Sequence, residues 1–598
     1  MRERLAPFAP LVGLFAVFAV VPGLFDSYIT SLVSQYLLFV FIGCAWALLG
    51  GFGALVSLGH AAYFGLGGYS VAILVAQLGW HPLIGGVLGM ALGAGLLWVF
   101  SWVSVRYAVS GIYFAGMTLL AAEALRALFI DLEFAGRSHG LSVYVDNFFG
   151  IPGLPATPNA MYFFMLLAAG LGIGMLVAIR RSRFGYELMA LRDDEQAARC
   201  VGVRHINVKY LAASISGGLT ALGGAMHAQL IGFVEPFQEF GLEVSLQLLF
   251  ATFLGGRNSP YGPAVGMAVF FGGREIVVNL LPTGTLAAPA LVQILFGLVL
   301  VIVVMLAPEG IMGMAAKQLR RWRQRRGLPP RALAVRMPEI LPEGEATIRT
   351  EIEPFHVEGL GKRFGGLQAL QDVDFSVQPG QVVGLIGPNG SGKSTFVNVV
   401  SGVYRPDGGE VAMGERSLTG LASETVSRAG LTRTFQVPRP FPNLTVLENL
   451  LVAALQVRPD MDQAVIQAYR AARSVGLEDE IHTVAKELQL AGLRRLELGR
   501  ALAVSPNVLI CDEAMSGLAL GEQRELVALL HHLNETEGVS IVIIEHILPV
   551  VSELCEEVTV LDVGQRIAHG TPQEVLSNPV VVEAYIGKVE GSEPTDRT

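Results

Sequence analysis

Apolar residues are spread unevenly over the 598 positions, and this constrains the fold more than any single motif. Before about residue 310 the chain is a series of long apolar blocks with few charges, and after about 340 it reads as a soluble domain. Crossing a bilayer as a helix takes ~20 apolar residues. Blocks of that order run near 8–25, 30–50, 57–78, 83–105, 112–132, 161–180, 208–231, 244–256, 263–281 and 289–307. They predict a polytopic helical membrane domain of about ten spans, the eighth short and the third rich in glycine. Gly65-Leu66-Gly67-Gly68, Gly217-Gly218 and Gly223-Gly224 suit close helix–helix approach in lipid. With 52% hydrophobic and 16% charged residues, the chain is too apolar for an ordinary soluble protein.

Charge placement orients these spans. Arg2 and Arg4 precede the first, Arg106 follows the fourth, and Arg180, Arg181, Arg183, Arg192, Arg199, Arg204 and Lys209 surround the loop after the sixth. Arg257 follows the eighth, and Lys317, Arg320, Arg321, Arg323, Arg325 and Arg326 follow the tenth. An even count puts all of these on one face, which the positive-inside rule makes cytoplasmic, together with both termini. The opposite loops carry Asp146, Glu235 and Glu239, with Arg137 as the exception. Met1-Arg2-Glu3-Arg4 before an apolar run also fits a signal peptide, but no clear cleavage site follows, so a retained first span is expected. A net charge of −9 argues against a general nucleic-acid binder. Cys44, Cys200, Cys511 and Cys555 are too scattered for a disulfide framework or a zinc site.

Between Arg181 and Val208, Leu188, Leu191 and Ala198 fall near helical spacing among charges, which predicts a short amphipathic helix. A solvated surface helix without a partner and a helix lying on lipid headgroups are the two bland accounts of it. His60, Glu123, Arg126, His227, Arg274 and Glu275 sit inside spans and should face the bundle interior, with Glu123 and Arg126 able to satisfy one another. Each reads as a structural polar contact. The basic run Arg320–Arg326 suits anionic lipid headgroups, and Pro329, Pro330, Pro338 and Pro342 mark an extended tether.

The soluble part contains Gly387-Pro388-Asn389-Gly390-Ser391-Gly392-Lys393-Ser394-Thr395, which fits the phosphate-loop pattern at every position. A short apolar strand, 381–386, precedes it and a helix follows, as the motif requires. Gly387, Gly390 and Gly392 let backbone N–H groups, with those of Asn389 and Thr395, converge on phosphate oxygens. Lys393 reaches the β/γ-phosphates and Ser394 binds magnesium. A site that binds nucleotide without hydrolysing it is the bland alternative. Runs 357–360 and 373–377 alternate as strands. Asn507–Glu513 is an apolar strand ending in two acids, where Asp512 can hold magnesium through water and Glu513 can orient or deprotonate an attacking water. The β-branched run from Ser540 ends in His546, placed to meet a γ-phosphate at the sheet edge. Strands alternating with helices predict an α/β fold with a mainly parallel sheet.

Together these residues resemble the ATP-binding cassette of ABC transporters over roughly 350–598. The resemblance makes Asp512-Glu513 the Walker B pair, His546 the switch histidine, and Thr434-Phe435-Gln436 the Q-loop, whose Gln436 senses the γ-phosphate and joins the metal set. It makes Phe364 the aromatic that stacks on adenine. Two departures stand out. The signature, normally Leu-Ser-Gly-Gly-Gln, reads Leu488-Gln489-Leu490-Ala491-Gly492, and the D-loop reads Ser516-Gly517-Leu518-Ala519 without its usual Asp. Because two cassettes sandwich two nucleotides in this family, the site built on Gln489 and Ala491 is expected to be the weaker one.

The first part resembles permeases of high-affinity branched-chain amino acid importers. The matching stretches are Ser57–Gly65, Arg181–Gly185 with Arg192–Ala198, and Pro308–Gly313; Gly255-Gly256-Arg257-Asn258-Ser259 departs from the more usual Gly-Gly-x-Gly-Ser. Gly570–Glu574 and Ala584–Gly587 are similar to the ATPase end of that system. The resemblance implies a natural fusion: a permease at 1–315, a basic and proline-rich linker at 316–350, and an ATP-binding domain at 351–598. It further implies ATP and magnesium as cofactors, an inner-membrane location, a second permease and ATPase, and a periplasmic solute-binding protein. The loop after the sixth span becomes a coupling helix beside Gln436. Alternatives are an exporter half-transporter working as a homodimer, an importer of urea, amides or aromatic acids, and a membrane-anchored regulatory ATPase. Exporters usually have six long spans, which this chain does not match.

Overall fold

The computed structural model describes residues 9–280, 309–326 and 352–586, apart from 54 and 153, with isolated positions between 294 and 305. Two compact units emerge: Met1–Arg192 with Ile206–Arg331, and Asp193–His205 with Ala332–Thr598. The short segment Asp193–His205 therefore packs with the soluble part, although it lies in the chain between two apolar helices.

Among the described residues of the first unit, five helices are long and apolar enough to cross a membrane: Ser27–Phe52, His60–Leu78, Pro82–Arg106, Ile112–Asp131 and Pro158–Arg180. Their starts follow local chemistry, with Asp26 and Thr157 accepting from first-turn N–H groups and Pro82 and Pro158 at the first helical position. Four other expected spans form helices that are broken, short or more polar: Ala9–Ala19 with Val21–Leu24, His205–Ile231, Leu242–Gly255 and Gly262–Leu280. The tenth expected span, 289–307, lies outside the described residues except for isolated positions, as do Arg2, Arg4 and Pro308. Glycine sets the packing. A Cβ on Gly67 would run into the carbonyl of Ala221, and one on Gly224 into that of Phe64. Gly93 would meet the Gly217 carbonyl at 2.6 Å. Three helices thus meet backbone to backbone, the contact that association in lipid rewards.

Most of the polar residues inside spans find partners within this unit, whereas Arg274 is exposed instead of facing the bundle interior. His60 lies 3.0 Å from both Ser57 Oγ and Ser216 Oγ, and His227 Nδ1 lies 2.9 Å from Glu239 Oε1. Arg126 pairs with Glu123, and the Tyr28 hydroxyl donates to Glu275 Oε1 at 3.0 Å. The basic run lies on helix Gly310–Arg325, and the prolines of the expected tether fall outside the described residues.

The second unit is a two-sheet α/β domain. One sheet has the strand order Gln565–Gly570, Glu557–Asp562, Val382–Ile386, Ser540–Ile544, Val508–Asp512, Leu431–Arg433. All its pairings are parallel except the outer Glu557–Asp562 with Gln565–Gly570. A separate antiparallel sheet orders Leu367–Val377, Phe355–Phe364, Gly408–Met413, Arg416–Ser417. The expectation of one mainly parallel sheet covers only the first of these. Phe355, Phe375, Leu385, Phe396, Ile510 and Val542 share the core between them. Around residues 181–208 the single expected helix is two, Arg183–Asp193 and Glu195–Cys200. Asp194 is extended (φ −155°) and its carboxylate accepts from Ala197 N at 2.8 Å, capping the second helix and so ending the first.

Candidate nucleotide site

Strand Val382–Ile386 is fully buried at the sheet centre, so its carboxyl end is held rigidly where the phosphate loop begins. Gly387 (φ +152°) passes so close to Leu561 that a Cβ would strike its carbonyl, and Gly392 (φ +104°) turns the chain into helix Lys393–Val400. Lys393 Nζ donates to the carbonyls of Gly387 and Pro388 at 2.7 and 2.9 Å and lies 3.4 Å from Ser391 Oγ. Burial lowers its pKa, and the acids Glu513 and Asp512 oppose that shift. The ammonium is thus tethered by neutral carbonyls, a tether that an anionic phosphate readily replaces. Asn389 and Gly390 are exposed at the tip, Ser394 is exposed in the first helical turn, and Thr395 follows half-buried.

Asp512 closes strand Val508–Asp512, which is separated from Val382–Ile386 by Ser540–Ile544; its N–H donates to Thr434 Oγ1 at 3.1 Å and burial raises its carboxyl pKa. Glu513 follows in the left-handed region (φ +48°), with its N–H donating to Ile544 O at 2.9 Å. A non-glycine residue held there stores strain and aims its side chain out of the strand line. Gln436 Nε2 donates to Glu513 Oε2 at 2.8 Å, so two residues 77 positions apart form one contact. His546 stands apart. Its ring is exposed, its Nδ1 is 4.0 Å from Glu545 Oε2, and among the described residues no hydrogen bond joins it to Glu513. Glu545 is buried, accepts from Met515 N at 2.9 Å, and has its pKa raised by burial. Phe364 is 41% exposed, with Tyr404 5.3 Å away edge-on and Lys362 Nζ 5.4 Å over its ring. Tyr404 and Lys362 are neighbours that sequence reasoning missed, and Thr434, read there only as part of the Q-loop, gains its bond to Asp512 in the fold.

The two departures from the cassette pattern have local consequences. Gln489 sits at the N-cap of helix Leu490–Ala503 and makes no side-chain cap bond. Ala519 occupies the N-cap of helix Leu520–Glu537, where its backbone N–H donates to Glu522 Oε2 at 2.9 Å.

Within the same unit the segment Asp193–His205 is densely bonded. Asp193 accepts from Asn443 N and Nδ2, both at 3.2 Å. Arg439 Nη1 donates to Gln196 Oε1 at 2.9 Å and lies 3.5 Å from Asp194. Glu424 takes Arg199 at 3.2 Å and His205 at 3.3 Å, and Arg428 donates to Gly202 O at 2.9 Å. Burial pushes the Glu424 pKa up, but His205, its own backbone N–H and Arg199 outweigh that and hold it at about 2.

A phosphate loop on a central strand, an acid pair at the end of a strand two places along the same sheet and a glutamine bonded to the second acid define an ATP-binding cassette, here sharing its chain with a helical permease. Residues 370–516 match the ABC transporter family, 28–304 the permease component of the branched-chain amino acid transport system, and 565–590 the branched-chain amino acid ATP-binding cassette transporter family. The high-affinity branched-chain amino acid transport ATP-binding protein LivG of Salmonella typhimurium is 36% identical over 247 residues, 39% of this chain and 97% of that protein. BraF of Pseudomonas aeruginosa, with the same description, is 34% identical over 247 residues, 39% of this chain and 97% of that protein. The crystal structure of a nucleotide-free ATP-binding cassette from an ABC transporter is 34% identical, covering 40% of this chain and all of that one with a TM-score of 0.37. The chain belongs to the branched-chain amino acid ATP-binding cassette transporter family and carries a membrane-embedded permease and an ATP-binding ATPase in one polypeptide.

Proposed function

We propose that this chain is one fused permease–ATPase subunit of an importer that moves branched-chain amino acids across the inner membrane, with both termini cytoplasmic. The observation that carries the reading is the joining of a branched-chain amino acid permease part at 28–304 to a cassette whose phosphate loop is intact. The permease occupies 1–315, the linker 316–350 and the cassette 351–598. ATP stacks on Phe364, and its phosphates lie on the N–H groups of 387–395 against Lys393. Glu513, held by Gln436, orients the attacking water, and His546 contacts the γ-phosphate.

Ser394, Gln436 and, through water, Asp512 are the residues that would hold magnesium. Magnesium is commonly held by one or two protein groups together with substrate phosphates, which suits so small a donor set. When bound, it neutralises charge on the β- and γ-phosphates. A second permease, a second ATPase and a periplasmic solute-binding protein complete the machine. The segment Asp193–His205 carries cassette movement to the spans, because its bonds to Asn443, Arg439 and Glu424 move with the cassette.

The test is uptake of labelled leucine, isoleucine and valine into proteoliposomes holding the assembled complex and its receptor. Accumulation that needs ATP on the cassette side supports the reading. Accumulation of urea, amides or aromatic acids in their place overturns the substrate assignment.

A further inference from the structure

One buried charged cluster has no part in the site described above. Helix Leu490–Ala503 carries Arg494, Glu497 and Arg500, which are 3%, 4% and 2% exposed. Arg494 Nη1 donates to Phe435 O at 2.9 Å, and its Nη2 donates to Gln436 O at 2.8 Å and to Ser516 O at 3.3 Å. One turn on, Glu497 Oε1 accepts from Phe435 N at 3.2 Å and from Arg439 N at 3.4 Å. Four main-chain groups of 435–439 are thus gripped by two side chains of one helix, which also holds the loop containing Ser516.

Fold stability alone gives little reason for this arrangement. Burying charges costs several kcal/mol per ion, and a well-packed apolar pair is often as stable. The pairing here is loose as well. Glu497 is 3.9 Å from Arg494 and 4.0 Å from Arg500, and its Oε2 has no hydrogen-bond partner among the described residues. What the pair does fix is geometry on both sides of Gln436. Toward the chemistry, Gln436 bonds Glu513 at 2.8 Å. Toward the other side, the Arg439 side chain bonds Gln196 and lies 3.5 Å from Asp194, while the Phe435 ring sits beneath both Arg433 and Arg439.

We propose that Arg494 and Glu497 are positioning residues that lock the Gln436 loop to the Ser516 loop, so that a shift of the Asp193–His205 segment reaches Glu513 through Arg439, Glu497 and Gln436. The inference rests on the reading that this cassette hydrolyses ATP. Proximity along such a chain is not itself coupling, so the test must measure coupling.

The full-length chain, assembled with its partner subunits in nanodiscs, is compared as wild type, Arg494→Lys, Glu497→Gln, Glu497→Ala, Arg439→Ala and the Arg439→Ala/Glu497→Ala double variant. ATPase kcat and KM, binding of a fluorescent ATP analogue and thermal unfolding are read for each. Arg494→Lys and Glu497→Ala lower kcat about tenfold with ATP binding kept, the scale of an ordinary coupling free energy. Glu497→Gln, which keeps an acceptor oxygen for the two N–H groups, retains most of kcat. The double variant falls no further than its worse single, as expected for residues acting in series. Unchanged kcat in Glu497→Ala overturns the inference. So do additive effects in the double variant, or losses of kcat, nucleotide binding and thermal stability that run in parallel. A wild type without ATPase activity sinks the functional reading itself, whereas an active wild type beside an unaffected Glu497→Ala sinks only the relay.

Discussion

Glycine does different work in the two units. In the membrane unit, Gly67, Gly93 and Gly224 are ordinary helical residues whose missing side chains let backbones touch. In the cassette, Gly387, Gly390 and Gly392 have φ of +152°, +84° and +104° and are needed for their backbone freedom. The difference follows from the solvent. Lipid offers no hydrophobic drive between helices, so close packing must supply the attraction. Water drives the cassette core together without help, leaving glycine free to shape an anion-binding loop.

Removing chemistry while leaving both kinds of glycine intact has the largest expected effect. Glu513→Gln keeps the bond to Gln436 within reach but loses the base, and ATPase of the assembled complex falls about 10²-fold or more. Turnover at the wild-type rate contradicts the role given to Glu513. Next comes Gly67→Ala, which drives a Cβ into the Ala221 carbonyl and costs about 3 kcal/mol, seen as a lower unfolding temperature of the detergent-solubilised chain. Gly390→Ala meets open space, so only its left-handed backbone is penalised, at about 1 kcal/mol, while nucleotide affinity drops more than stability. Equal stability losses at Gly67 and Gly390 would erase the distinction between the two roles. Smallest is a gain: Gln489→Ser supplies the missing cap on helix Leu490–Ala503 and adds about 0.5 kcal/mol of cassette stability, read by thermal unfolding.

The parts legible in the sequence are those whose chemistry is written in consecutive residues. The phosphate loop, the Asp512-Glu513 strand end and the apolar blocks each state a local requirement. Pairings across the sheet were not legible. Nothing near Gln436 in sequence points to Glu513, and nothing near Thr434 points to the Asp512 N–H. Arg494 and Glu497 look like surface charges on a helix, yet they are buried because the Gln436 loop folds over them. The break at Asp194 was missed for a different reason. Helical spacing continues through it, and only the competition between a side-chain cap and the next backbone bond decides the outcome.

In the proposed importer, nucleotide chemistry is passed to the permease through Asp193–His205. The direct measurement is ATPase activity and leucine uptake in the same proteoliposomes, for wild type and Asp193→Ala, which removes both bonds to Asn443. Uptake falling about tenfold while ATP hydrolysis continues is the predicted result. Unchanged uptake in Asp193→Ala, with hydrolysis equally unchanged, would contradict it.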